Sequence, residues 1–88
     1  MSHILAKLNG VRITEIEKKL KDDFLRHAAE GLFLEHVWQN TENQNEVLFL
    51  FRTKDLNRAK QFMDHAHAEA LKDDPNVNLP EMKFLEGN

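Results

Sequence analysis

A chain of 88 residues with a net charge of −3 and no cysteine is one small domain, residues 1–88, without a disulfide framework or a thiolate site. Its acidic balance leaves no basic stripe for nucleic acid, and no apolar run approaches the ~20 residues that span a bilayer. At this size only about 60% of the unfolded chain's surface is buried, so the core is thin. With no signal-peptide pattern at the N-terminus, the expected setting is reduced and cytoplasmic.

Residues 3–8 (His-Ile-Leu-Ala-Lys-Leu) form a short apolar run that reads as a strand. Asn9-Gly10 is a hairpin signal, but only residues 11–13 would form the returning arm. It therefore reads as a strand-to-helix turn. Thr14 and Glu17 have the T-x-x-E spacing of a capping box and should start a helix. Ile16, Leu20, Phe24 and Ala28 recur at helical spacing as its inward stripe, with Leu25 beside them. Lys18, Lys19, Lys21, Asp22 and Asp23 interleave both signs and read as its solvated face. Gly31 is placed to end the helix in a left-handed conformation.

Residues 32–38 alternate as a strand. Leu32, Leu34, His36 and Trp38 share one face, and Phe33, Glu35, Val37 and Gln39 the other. Residues 40–45 (Asn-Thr-Glu-Asn-Gln-Asn) have the composition of an exposed loop. Residues 47–51 are apolar on both faces, which marks a central strand covered on both sides. Asp55 is the expected N-cap of a second helix with the inward stripe Leu56, Ala59, Phe62, Met63, Ala66 and Ala70. Pro75 forces that helix to end near Asp73, residues 73–79 form a loop, and Pro80 enters a last strand over residues 81–85.

The order β-α-β-β-α-β with right-handed crossovers predicts an α+β, ferredoxin-like fold. Its four-stranded antiparallel sheet carries both helices on one face. Two helices cover one face only, so a central strand apolar on both predicts a homodimer.

The segment Asn43-Gln44-Asn45-Glu46-Val47, the pairs Asp55-Leu56 and Ala59-Lys60 with Phe62, and Leu79-Pro80-Glu81-Met82 with Phe84-Leu85-Glu86 resemble the small antibiotic-biosynthesis-monooxygenase-like proteins. These belong to the dimeric α/β-barrel superfamily. The resemblance implies a homodimer whose sheets pack through their helix-free faces, each half enclosing a small pocket. It also implies two candidate activities, ligand binding without chemistry and cofactor-independent oxidation of an aromatic substrate. These motifs are structural, so they speak for the fold more than for either activity.

Five histidines are present. His65 and His67 sit two apart on a predicted helix, about 200° around its axis, and cannot share a metal. No metal site is expected, and no cofactor. There is no G-x-G-x-x-G, no P-loop and no G-x-S-x-G. His36 beside Trp38 is the one candidate for chemistry. With Trp38 opposite Val47, His36 lies near Phe49 and Leu34 near Phe51. Leu34, His36, Trp38, Phe49 and Phe51 are therefore expected to line one pocket for a flat ligand on the helix-free face. Glu35 should point the other way and need a basic partner if covered.

Overall fold

The computed structural model describes residues 1–87. The elements are β1 (Ser2–Asn9), α1 (Ile13–Asp22), α2 (Phe24–Ala29), β2 (Leu32–Asn40), β3 (Asn43–Thr53), α3 (Leu56–Asp73) and β4 (Glu81–Glu86). The sheet runs β2-β3-β1-β4 with every neighbouring pair antiparallel. This is the ferredoxin-like order, with β3 central as its two apolar faces predict. Gly10, at φ +73°, makes the turn that ends β1, and Gly31, at φ +76°, the turn into β2.

The register lays the sheet out in rows. On the helix side, Phe84, Ile4, Phe51 and Leu34 form one row, and Met82, Ala6, Phe49 and Val37 the next. Ile16, Leu20, Ala59 and Met63 close over these rows, giving one core with Leu8, Leu32 and Val47. On the helix-free side the rows are Leu85, His3, Arg52, Phe33; then Lys83, Leu5, Leu50, His36; then Glu81, Lys7, Leu48, Trp38.

One residue upsets the strict alternation of β2. The pairing jumps from Leu34↔Phe51 to His36↔Leu50, leaving Glu35 as the extra residue of a bulge. Leu32 and Leu34 therefore face the helices, while His36 and Trp38, two and four positions on, face away from them. Trp38 pairs with Leu48 rather than Val47, and His36 with Leu50 rather than Phe49. The bulge also brings Glu35 to the helix-free face, where its carboxylate lies 2.9 Å from His3 Nε2 and 3.9 Å from Arg52 Nε. The basic partner is there, on the face opposite to the one expected.

The first helical segment differs from its pattern at both ends. Its N-cap is Arg12, whose carbonyl accepts from Glu15 and Ile16, and no side chain caps it. Thr14 is an exposed residue inside the helix and makes no capping box. The helix then breaks at Asp23, leaving Phe24 and Leu25 50% and 80% exposed. Two adjacent aspartates are poor company for the negative end of a helix and suit a helix start, so a break there relieves Asp23.

Elsewhere the local chemistry works as read. Asp55 Oδ1 accepts from Arg58 N at 3.1 Å, and Thr53 Oγ1 accepts from Asp55 N at 3.2 Å, fixing the step from β3 into α3. The expected loop over residues 40–45 is shorter than its composition suggests. Asn40 ends β2, Asn43 begins β3, and Asn40 Oδ1 accepts from Glu42 N to tighten the turn. Asp55→Ala is accordingly expected to cost roughly 1 kcal/mol, and Thr14→Ala to shift stability by less than about 0.5 kcal/mol. Denaturant midpoints of the two variants check this, and equal losses would restore the capping box.

A cleft between the helices and the sheet

The helices do not close over the middle of the sheet. Between α1–α2 on one side and α3 on the other lies a cleft of about 660 Å³. Its floor is Leu8, Phe49, Phe51 and Met82, its walls include Leu20, Phe62, Met63 and Ala66, and residues 77–80 close one end. Asn78 Nδ2 donates to the Asn9 carbonyl at 2.6 Å, pinning that closing segment to the end of β1. Phe49 and Phe51 meet edge to face at 5.7 Å, so the floor presents two crossed rings.

His27 is the polar group on the inner wall. Its ring lies edge-on to Phe51 at 5.3 Å and to Phe62 at 6.0 Å, wedged between the sheet and α3. Burial pushes its pKa below the usual histidine value of 6.5; the Arg26 cation adds to this and Asp23 opposes it. The ring is therefore a neutral imidazole at physiological pH. Arg26 lies over the outer face of Phe62, 5.4 Å from the ring centre, and carries a positive charge at the cleft mouth. Lys19, His65, His67, Glu69 and Asp73 complete the rim. His65 and His67 thus border the cleft, and no group of metal-binding side chains occurs among the described residues.

The five residues expected to share one pocket are divided by the sheet. Phe49 and Phe51 lie under the helices and floor the cleft. Leu34 also faces the helices but lies behind α1, beside Val37 and Phe24 along a shallow groove. His36 and Trp38 are on the helix-free face, stacked on one another at 4.9 Å with 19° between the planes. The bulge at Glu35 is the cause. It reverses the phase of β2 halfway along, and β3 is read from the opposite parity.

His27 is the residue that pattern reading missed. Its spacing does carry a signal, since Leu20, Asp23 and His27 fall at i, i+3 and i+7. The expected stripe through Phe24 and Ala28 hid it, and beyond the break at Asp23 it is His27 and not Phe24 that lies on the inner side.

No family model and no curated protein matches this chain. Solved structures do. A protein from Deinococcus radiodurans described as an antibiotic biosynthesis monooxygenase has a TM-score of 0.65 and 16% identity, covering 100% of this chain and 93% of its own. An uncharacterized NIPSNAP domain protein from Burkholderia xenovorans has a TM-score of 0.61 and 18% identity, covering 100% and 95%. A conserved protein from Methanosarcina mazei has a TM-score of 0.58 and 19% identity, covering 99% and 92%. At these identities the likeness is one of fold. The chain is built on the ferredoxin-like α+β fold of the antibiotic-biosynthesis-monooxygenase-like and NIPSNAP domain structures, over essentially its whole length.

Proposed function

We propose that this chain is a homodimeric binding protein for a small flat apolar ligand, held in the cleft between the helices and the sheet. The observation that carries this is the cleft itself, about 660 Å³ of space above two crossed phenylalanines at the centre of the fold. That volume suits a single small molecule, and a floor and walls of rings and aliphatics inside a charged rim suit a flat one. The helix-free face, with Leu5, Leu48, Leu50 and Trp38, is the partner surface. Phe49 and Phe51 bind ligand, whereas His36 and Trp38 meet the second subunit. No helix of the described residues is long and apolar enough to cross a membrane, and a cytoplasmic setting fits the absence of cysteine.

A second reading, a cofactor-independent monooxygenase-like enzyme acting on an aromatic substrate, is supported by the fold shared with the Deinococcus protein. It uses the same cleft, with His27 rather than His36 as the group able to take a proton. Oxygen uptake in the presence of aromatic substrates separates the two readings.

Binding is tested with 2-methoxynaphthalene, excited beyond the tryptophan band. Ala66→Trp, which fills the cleft from α3, is expected to weaken its binding roughly tenfold or more, whereas Trp38→Phe leaves it unchanged. The reverse pattern would move the ligand to the other face of the sheet.

A further inference from the structure

We infer that His27 sets the specificity of the cleft, selecting flat ligands that present a hydroxyl or N–H to its ring. This rests on the cleft being the ligand site, and it adds which ligands are taken.

The geometry is that of a polar ring held in place by apolar ones. Phe51 rises from the sheet at 5.3 Å and Phe62 comes down from α3 at 6.0 Å, both at about right angles to the imidazole. Neither offers a hydrogen-bond partner, and the ring makes no hydrogen bond among the described residues. A neutral imidazole carries one donor and one acceptor, and water in the open cleft serves both. A ligand that fills the cleft expels that water. One that cannot replace its hydrogen bond leaves a polar nitrogen stranded between phenylalanines, which is costly.

The surroundings decide which kind of ligand group gains most. Arg26 and Lys19 at the mouth only donate, so an acceptor on the ligand has partners at the rim. A donor that reaches the inner wall finds the unprotonated nitrogen of His27. The carboxylates of Asp23, one turn earlier, and of Glu69 and Asp73 on the α3 side of the rim are the competing acceptors. Phe51 and Phe62, the groups packed on the ring from β3 and α3, do not titrate, and the charges acting on it are Asp23 and Arg26 of its own segment. Burial and Arg26 keep the imidazole neutral down to a lower pH than usual, which preserves its acceptor where an exposed histidine would lose it.

The test compares 2-naphthol with 2-methoxynaphthalene, which differ in the hydroxyl hydrogen. At about pH 8 the unaltered protein is expected to bind 2-naphthol roughly tenfold more tightly than the ether. In His27→Phe both should bind with equal affinity. His27→Gln keeps an acceptor without a titrating group, so it should retain the preference and show it unchanged in a descending pH series. The unaltered protein should lose its preference in that series once the ring is protonated, which burial places below the usual histidine range, because protonation converts the acceptor into a donor. Equal affinities in the unaltered protein would overturn the assignment while leaving the cleft as the binding site. A preference that survives His27→Phe but is lost in Asp23→Asn would overturn it in favour of Asp23. Failure of both ligands to bind would instead overturn the cleft reading, and this inference with it.

Discussion

Leu50→Arg is expected to leave the chain monomeric at concentrations where the unaltered chain is a dimer. Leu50 occupies the middle of the helix-free face, paired with Leu5 on one side and His36 on the other. Leu48 and Trp38 extend the patch along the next row, and Trp38 and Leu85 are 45% and 42% exposed. Most charges of this face have partners within the chain, and Lys83, on the edge strand β4, is the exception among the described residues. His3 meets Glu35 at 2.9 Å, Lys7 meets Glu81 at 3.8 Å, and Arg52 lies 3.9 Å from Glu35. What they leave for a partner is apolar area at the centre, which a lone small domain does not keep wet without reason. A guanidinium at position 50 would be buried without a counter-charge in the assembly, at a cost on the order of 3–5 kcal/mol, or at least about a hundredfold in affinity. In the monomer the same group reaches water, so folding survives. Light scattering at micromolar concentration reads the result, and an unaltered chain that is already a stable monomer would remove the dimer from the proposal.

What the sequence makes legible, and what it conceals, can be traced to single residues. The element order, the central place of β3 and the N-cap at Asp55 are readable because each depends on local chemistry or on a pattern that nothing interrupts. The faces of β2 are not, because one extra residue inverts a period-two pattern. Without Glu35, the strand would read Leu32, Leu34 and Val37 inward and Phe33, His36 and Trp38 outward without a break. Glu35 carries no mark of a bulge in its type. Its role comes from His3 and Arg52, two strands that the chain supplies 32 positions earlier and 17 later. The break at Asp23 is similar. The doublet Asp22-Asp23 reads as solvated charge, and its role as the break between α1 and α2, beyond which Phe24 is half exposed, carries no mark in the pattern. Of the candidate site, the sequence singles out Phe49 and Phe51 but assigns them to the helix-free face, opposite to where they lie, and His27 is not singled out at all.

Phe51→Ala and Phe24→Ala separate these two kinds of apolar residue more sharply than any other pair. Both phenylalanines fit an apolar stripe in the sequence. Phe51 is 2% exposed, while Phe24 is 50% exposed. Phe51 touches both Phe49 and His27 edge-on, at 5.7 and 5.3 Å, so truncating it removes contacts on two sides and opens a void in the floor of the cleft. The expected loss is about 3 kcal/mol, toward the lower end for such a truncation because the void opens into the cleft and can be wetted. A domain of this size is stable by roughly 4–13 kcal/mol, so that loss is a large part of the whole. Phe24→Ala should change stability by less than about 0.5 kcal/mol, since its ring already meets water. Denaturation of both variants at one fixed protein concentration, which holds any contribution of self-association constant, measures the difference. Similar losses for the two would mean that α2 packs its Phe24 side against the sheet, overturning the half-exposed position that follows the break at Asp23.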